Sequence, residues 1–568
     1  MQIFKDTKQP NELPAVKIIA VGGTTEVNGN MTVYECGNDI IVVDCGVGFP
    51  DEEQLGIDVI IPDFTYLLER KEKIRGVFLT HAHADHIDAV PYLLQDLSVP
   101  IYAGKLVWGL LEEKLKEKRF KNVPKPSFHL LSPDTPKVTV GNFSFRAFRL
   151  NHSVPAAMGF AIDTPQGLIM HMADYKIDWT PAIDKPVDLG RISQIADEGV
   201  LCFLSDCLGC TTKGYSQSEA TLNDTFDNLF DKAGSRQILV TTISTNISRM
   251  YQIISSAVKH DRKVVFGGRS IEQSSGVARR LGYLKFDDSV FIAESDAKNY
   301  AQKDLIYIIA GCYGQPGSSL GRASRGENKD IVLEENALVI FSADPNPPGV
   351  DVDVERMQDA LTLRGCEVLY SEIQANLHVS GHGPRGDLIT MASVVKPKYF
   401  VPIGGTVTKM RAYKNMIGEL GFDKKSVFEL LQGESVVFEN HLAKKGDKIH
   451  IEEVYIEGGN SESVSPIVIK DRQVLSEDGV FVVVVPVSRD EKKLAGKVEM
   501  ISRGFVYVKE SRALMGRSRD VVNKALDKYQ GDLSDWGKVR ADVEKSVEKF
   551  LFRETRGKPL IIVSSIII

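Results

Sequence analysis

Apolar and polar positions along the first 200 residues alternate in short β-rich runs separated by turn signals. Residues 16–21, 40–43, 77–80, 143–150 and 168–172 read as strands. Helical spacing lies between them at 89–97, with Pro91 in its first turn, and at 107–118. Hairpins mixed with αβ alternation predict sheets with helices packed outside them. From about residue 211 the pattern changes to repeated αβ units. Strands are expected at 237–242, 263–266, 305–310 and 337–342, and helices at 249–259, 274–281 and 354–363. This is the pattern of a doubly wound insert. The first pattern resumes from 375 to about 445, with a strand at 398–403. A Gly/Ser/Asn-rich stretch at 458–463 reads as a linker. Beyond it, strands at 480–487, 497–502 and 560–568 and helices at 518–528 and 537–551 form a compact α/β tail. The expected organisation is a body in two parts, 1–210 and 375–450, an insert at 211–374, a linker at 451–466 and a terminal domain at 467–568.

Length and composition fit this layout. At 568 residues the chain is too long for one core, and about three domains are expected. A 43% hydrophobic and 26% charged composition is that of a soluble globular protein. A net charge of −7 and a pI near 6.0 argue against bulk electrostatic attachment to nucleic acid or membrane. A local basic channel remains compatible, because clefts focus fields. No run approaches 18 apolar residues, so no transmembrane helix is expected; the apolar tail from Leu560 is too short to span. The start lacks a signal-peptide pattern, and seven scattered cysteines suit a reducing cytoplasm. Cys207-x-x-Cys210 has no partner pair and reads as two buried thiols.

The chemistry concentrates in His81-Ala82-His83-Ala84-Asp85-His86, three imidazoles and a carboxylate within six residues, in a chain with only 11 histidines. Imidazole and carboxylate suit zinc and related divalent ions. The run follows an apolar strand. His81 and His83 can reach one ion from an extended backbone, and Asp85 and His86, past the bend, can reach another. Asp44, His152 and Asp174 each follow an expected strand as well, where rigid scaffolds place ligands. Taken singly, each is as well explained as a turn former or a surface group. Their shared position and order make the case.

That order, Asp44, then His81-x-His83-x-Asp85-His86, His152 and Asp174, resembles the metallo-β-lactamase superfamily. The resemblance implies an αββα sandwich with a dinuclear zinc site. His81, His83 and His152 would hold one ion, Asp85 and His86 the other, and Asp174 would bridge. Asp44 would stand behind them, orienting a histidine. Ser205-Asp206 and His378-Val379-Ser380-Gly381-His382-Gly383 resemble the first two extra motifs of the β-CASP subfamily. Gly268-Arg269-Ser270, Gly311-Cys312-Tyr313-Gly314-Gln315-Pro316, Ser476-Glu477-Asp478-Gly479 and Ile501-Ser502-Arg503-Gly504-Phe505-Val506-Tyr507-Val508 narrow the resemblance to the bacterial ribonuclease J family. The similarity runs from about residue 15 to the end. It implies a metal-dependent ribonuclease of RNA maturation and decay, acting 5′→3′ as an exonuclease with endonuclease activity in some members. The substrate would be single-stranded RNA, preferably 5′-monophosphorylated, entering between body and insert. Members assemble through the C-terminal domain as dimers or tetramers, or with a paralogous subunit. The implied catalytic residues are Asp85, His382 and Asp206. His378, Ser380, Gly381 and Gly383 would receive the substrate phosphate, with exposed backbone N–H groups in that loop. Arg269, Arg322, Arg325 and Arg385, in or near glycine- and serine-rich loops, are candidate phosphate contacts, with solvated surface arginine as the default for any one of them; Tyr313 or Phe341 is a candidate base-stacking surface, with a place in the core as the default.

The chain also departs from the family. Val401-Pro402-Ile403-Gly404-Gly405-Thr406 matches its third extra motif, and Gly404 stands where a histidine normally binds the second ion. His171 has the wrong face parity to replace it. Ala84 and Asp88 replace a glutamate and a glycine of the main motif, and Gly22-Gly23-Thr24-Thr25 departs from the usual glycine-rich loop. Two zinc ions are expected, the second weakened, with Mn2+ or Mg2+ as alternatives. An active ribonuclease is the main reading. A weakly active RNA-binding or assembly paralogue is the second, and a small-molecule hydrolase the third. The long insert speaks against the third, since it covers the site with a domain suited to polymers.

Overall fold

The computed structural model describes residues 13–25, 27–51, 53–344, 350–457, 463–505 and 512–568. The chain divides into two compact units, one made of the described residues up to Phe49 with Val59–Val454, the other of Pro50–Asp58 with Tyr455–Ile568.

The larger unit holds three sheets. The first has eight strands, in the spatial order Leu442–Lys445, Ser435–Glu439, Val16–Gly22, Met31–Cys36, Asp39–Val43, Ile74–Phe78, Ile101–Ala103 and Phe128–Leu130. The second has six: Tyr399–Ile403, Val200–Asp206, Gly167–His171, Met158–Thr164, Phe143–Arg149 and Val138–Val140. The two bury their inner faces in one core, where Val16, Ile18, Tyr34, Ile41 and Phe78 meet Phe145, Phe160, Ile169, Leu204 and Val401. Phe78 stacks on Phe145 with ring centroids 3.6 Å apart, which pins the end of its strand to the opposite sheet. Helices Leu189–Ala196, Arg385–Val395 and Val407–Glu419 cover the outer face of the second sheet through Ile192, Leu388, Met391 and Met410. This is the expected αββα sandwich.

Strands Asp39–Val43 and Ile74–Phe78 run parallel, as do Gly167–His171, Val200–Asp206 and Tyr399–Ile403; Phe143–Arg149 shares the direction of the latter three. Their C-terminal ends therefore gather along one rim. The expected strand at 77–80 stops at Phe78. Beyond it the N–H and hydroxyl of Thr80 donate to the Asp44 carboxylate, 2.8 and 2.7 Å away, instead of continuing a ladder.

The insert is an all-parallel sheet in the order Phe291–Ile292, Lys263–Gly267, Leu305–Ile309, Ile238–Thr241, Leu338–Phe341 and Glu367–Leu369. Its central strands are buried along their whole length, as expected when helices cover both faces. The helix expected at 274–281 begins earlier, at Arg269, because Gly268 adopts a positive φ and opens it directly from the strand. The smaller unit packs helices Arg512–Asp527 and Trp536–Thr555 on one face of the sheet Glu499–Arg503, Val480–Val487, Leu560–Ile567. On the other face Ile501, Val482 and Ile562 form a row across the three strands, with both isoleucines exposed. The linker residues 458–462 and the motif residues Val506-Tyr507-Val508 lie outside the described residues.

Body and insert are joined by a buried ion cluster. Glu219, just before helix Thr221–Ala233, takes Lys176 Nζ on one carboxylate oxygen and Arg249 Nη2 on the other, both at 2.9 Å. All three side chains are at most 2% exposed. Arg249 continues to the carbonyls of Ser342 and Leu377. Burial pushes the Glu219 carboxyl up, but Lys176 and Arg249 outweigh it and hold it at about 2. Because its folded value lies below the ordinary 4.5, this stabilisation is present above about pH 4.5 and is lost as pH falls towards 2. Glu219→Gln should cost about 3–5 kcal/mol at pH 7, since it leaves two buried cations short of their counterion. Thermal unfolding would show it, with the gap to wild type closing below pH 4.5. A variant as stable as wild type at pH 7 would refute this account.

Candidate metal centre

The rim of the sandwich gathers histidines and carboxylates from four strand ends. His81 and His83 follow strand Ile74–Phe78, and His86 sits in the short helix Ala84–Ile87. His152 follows Phe143–Arg149, Asp174 follows Gly167–His171, and Asp44 follows Asp39–Val43. Three groups of ligand atoms converge, each within 4.8 Å: His81 with His83 and His152; His81 with His86 and Asp174; and His152 with Asp174 and His382. Asp85 joins none of these groups among the described residues. Its nearest ring nitrogen is His86 Nε2, at 3.5 Å.

Each ring is tied at one nitrogen and turns the other inward. His81 Nδ1 meets Thr80 Oγ1 at 3.0 Å, and His83 Nε2 meets Ser153 Oγ at 3.1 Å. His152 Nδ1 donates to the carbonyl of Gly381 at 2.7 Å, and His86 Nδ1 donates to Asp44 at 2.8 Å. Such outer partners fix ring orientation and tautomer in metal sites. What remains inside is electron-rich. His152 Nε2 and His83 Nδ1 face each other at 3.0 Å, and His81 Nε2 is fully buried with no hydrogen-bond partner. A shared cation relieves both, so the donor set fits a divalent metal ion held on His81, His83 and His152 with Asp174.

The electrostatics agree. Burial, followed by the neighbouring imidazoles, holds His81 and His152 well below the usual histidine range and His83 at about 3. They are neutral at pH 7, the form that ligates. Burial pulls His86 down, but Asp174, Asp85 and Asp44 raise it overall. Burial lifts Asp85 to about 6 against the pull of His86. His382 is also lowered by burial, yet Asp206 and Asp174 outweigh this and hold it at about 9. Its Nδ1 meets Asp206 Oδ2 at 2.7 Å, and its Nε2 lies 4.0 Å from Asp174 Oδ2.

The loop 380–383 is closely fitted. Gly381 passes the His152 ring so tightly that a Cβ there would lie 2.6 Å from Cε1. The expected row of free N–H groups is met only in part: Gly383 N–H donates to Tyr175 O at 2.7 Å, and His382 N–H to Ser380 Oγ at 3.1 Å. The loop uses these donors to hold its own shape. His378 lies within the field of Arg249, Glu219 and Lys176; burial and then Arg249 bring it to about 3. Of the arginines, Arg322 and Arg325 bond within their own loop, Arg385 pairs with Glu419, and Arg269 is exposed. Phe341 lies in the core of the insert, while Tyr313 is half-buried. All seven cysteines are free and buried, and burial raises Cys207 and Cys210. His171 Nδ1 bonds the Tyr34 hydroxyl at 2.8 Å, which fits its expected face.

Three contributors carry no sequence signal of their own. Thr80, Ser153 and Asn30 act through contacts that form only on folding. Asn30 Nδ2 lies 3.2 Å from Asp85 Oδ2 and 3.0 Å from His86 Nε2.

A histidine and carboxylate cluster at the strand-end rim of this sandwich defines a metallo-hydrolase fold of the metallo-β-lactamase type. Models of known families match along the chain in the same order: a beta-lactamase superfamily domain over 40–189, the ribonuclease J beta-CASP domain over 235–361, a Zn-dependent metallo-hydrolase RNA specificity domain over 368–427, and the ribonuclease J C-terminal domain over 467–567. Ribonuclease J2 of Bacillus subtilis (strain 168) is 34% identical over 549 residues, 96% of this chain and 98% of its own. Ribonuclease J of Helicobacter pylori (strain ATCC 700392 / 26695) is 32% identical over 553 residues, 97% of this chain and 80% of its own. A crystal structure of a protein of unknown function from Enterococcus faecalis V583 shares the fold over 74% of this chain and all of its own, with TM-score 0.54 and 17% identity. The chain belongs to the ribonuclease J family.

Asp44→Ala would strip acceptors from Thr80 N–H, Thr80 Oγ1 and His86 Nδ1 together. Affinity for zinc, measured by chelator competition on folded protein, should fall about 10–100-fold. Unchanged affinity would show that the Asp44 contacts do not organise the centre.

Proposed function

We propose that the chain is a metal-dependent ribonuclease that hydrolyses RNA phosphodiester bonds, chiefly as a 5′→3′ exonuclease and secondarily as an endonuclease. The observation that carries this reading is the convergence of five inward-turned imidazoles and Asp174 at one rim, within a chain of this family. The nitrogen-rich donor set favours zinc, with Mn2+ or Mg2+ able to substitute. When bound, the ion supplies Lewis acidity, withdrawing charge from the phosphate and making water a better nucleophile near neutral pH.

The protein groups divide the remaining work. Asp85, half-buried at the rim, orients the attacking water through its carboxylate. His382 holds a proton on Nε2 for the leaving oxygen, and Asp206 fixes its ring through Nδ1. Asp206 is itself fully buried and accepts from Leu208 N–H at 2.8 Å, so it orients without meeting substrate. Ser380 and Gly381, with Gly383 and His378 shaping the loop, receive the phosphate of the terminal 5′ nucleotide, giving a preference for 5′-monophosphorylated single strands. We place the body at 1–210 and 375–450, the insert at 211–374, the linker at 451–466 and an assembly domain at 467–568. The row of exposed Ile501 and Ile562 flanking half-buried Val482 suits assembly with a second copy or a paralogous subunit as a dimer or tetramer. No helix among the described residues is long and apolar enough to cross a membrane, and the setting we infer is cytoplasmic.

Purified chain with zinc or manganese should degrade 5′-monophosphorylated RNA faster than 5′-hydroxyl RNA, and His83→Ala should abolish this. If wild type degrades no RNA and His83→Ala behaves identically, the protein is a binding or assembly subunit. His382→Ala should lower kcat by about 10²–10⁴-fold. As an acid raised to about 9, and pulled back towards neutrality by a nearby cation, His382 should give an alkaline loss of rate at or below about pH 9. That limb should vanish in His382→Ala; its persistence would assign the proton elsewhere.

A further inference from the structure

Among the described residues the two most exposed aromatic side chains are Tyr215, at 70%, and Trp179, at 62%. Both stand on segments that buried carboxylates hold rigid. Asp387 accepts from Ile177 N–H at 2.8 Å and from Ser216 Oγ at 2.6 Å. Asp178 accepts from Thr180 N–H at 3.0 Å and from Glu219 N–H at 2.9 Å. Each carboxylate residue is 1% exposed. The two segments also meet directly, with the hydroxyl oxygens of Thr180 and Ser218 2.6 Å apart. The Tyr215 ring lies against Gly386, where a Cβ would stand 2.7 Å from two ring carbons. The same segments hold the loop that carries His382. Gly383 N–H donates to Tyr175 O at 2.7 Å, Arg385 N–H to Thr212 O at 2.9 Å, and Gly386 N–H to Gly214 O at 2.8 Å.

A single exposed ring needs no explanation. Two rings on segments cross-tied to each other and to the His382 loop do. The charge around them suits an anionic strand. Residues 208–218 include no acidic side chain, and Lys213, two positions before Tyr215, is exposed. Lys409 Nζ rests on Thr211 Oγ1, and Arg385 stands beside Gly386, paired with Glu419. We propose that Trp179 and Tyr215 are a stacking platform for single-stranded RNA, which takes bases of the strand that passes His382, with Lys213 drawing in its phosphates. Every base has a π face, so such a platform accepts any sequence, as suits an enzyme that works along a strand. A duplex keeps those faces stacked within itself and is refused. Because the backbone under both rings is already fixed, little order is lost when a base is seated. The bonds to residues 383–386 then set that base in register with His382. The inference rests on the reading of the chain as a ribonuclease.

Of the three tryptophans, Trp108 and Trp536 are half-buried and Trp179 is exposed, so its emission reports on the platform. Full-length His83→Ala protein, which should bind RNA without cutting it, would be titrated with an oligouridylate of about 12 nucleotides. Affinity would be read by fluorescence anisotropy of a 3′-labelled strand, and stacking by tryptophan emission with an unlabelled one. The single strand should quench the emission, and an adenylate–uridylate duplex of the same length should not. Trp179→Ala and Tyr215→Ala, each in that background, should weaken single-strand binding about tenfold, and Trp179→Phe and Tyr215→Phe should restore most of it. Thermal unfolding would confirm that each variant is folded. Binding without quenching, equal quenching by the duplex, or alanine variants within about twofold of their parent would overturn the platform. Absence of RNA binding by both the parent and the wild type would instead sink the ribonuclease reading, and the platform with it, so the two failures are distinguishable.

Discussion

The carboxylate of Asp44 is the constraint on which the site depends. It is buried, sits on a residue with φ of +60°, and accepts from Thr80 N–H, Thr80 Oγ1 and His86 Nδ1. One charged group thus ends two parallel strands at the same level and turns the chain out of the sheet just before His81. Hydrogen bonds to a charged acceptor are worth about 1.5–3 kcal/mol each, and an unpaired buried carboxylate would cost more, so the three donors and Asp44 hold one another. The left-handed backbone at Asp44 is a local strain offset by those bonds. The direction of the His81–His86 run follows from it.

A second constraint works at longer range. The sandwich supplies the cluster of histidines and carboxylates, but the loop carrying His382 is anchored just upstream at Leu377, whose carbonyl accepts from Arg249. Arg249 is neutralised by Glu219, and Glu219 also neutralises Lys176, two residues beyond Asp174. A chain of buried charges therefore runs from the strand that presents Asp174 to the root of the loop that presents His382. Packing alone would tolerate small slips between body and insert. Paired charges in a dry interior do not, because each slip strands a charge.

What could be read from the sequence was what is local. The run from His81 to His86 announces its chemistry because its imidazoles and carboxylate are neighbours in the chain. His152 and Asp174 could be placed because each ends an apolar run of strand character, and the doubly wound insert because its strands and helices alternate at regular spacing. Asn30, Ser153 and the carbonyl of Gly381 were invisible, since each meets its histidine across 56 to 229 residues of chain. The glycines around His382 suggested open backbone donors; folding gives two of these N–H groups to Tyr175 and Ser380, which no residue pattern reveals. Strand ends also moved. Thr80 reads as β-forming, and it leaves the sheet because a carboxylate from another strand outbids the ladder.

Gly404 has a φ of +67°, and its N–H donates to Gly23 O at 2.8 Å. A side chain at that position has to accept a left-handed backbone, at about 1–2 kcal/mol, before it can reach the centre. The missing ligand and the shape of the turn are thus one property of the chain. A histidine placed at 404 would carry its imidazole on a strained backbone, and a rebuilt turn that kept glycine would have nothing to present. Two changes have to be made together at this position, a side chain long enough to reach the centre and a turn that tolerates it, so neither is a gain by itself.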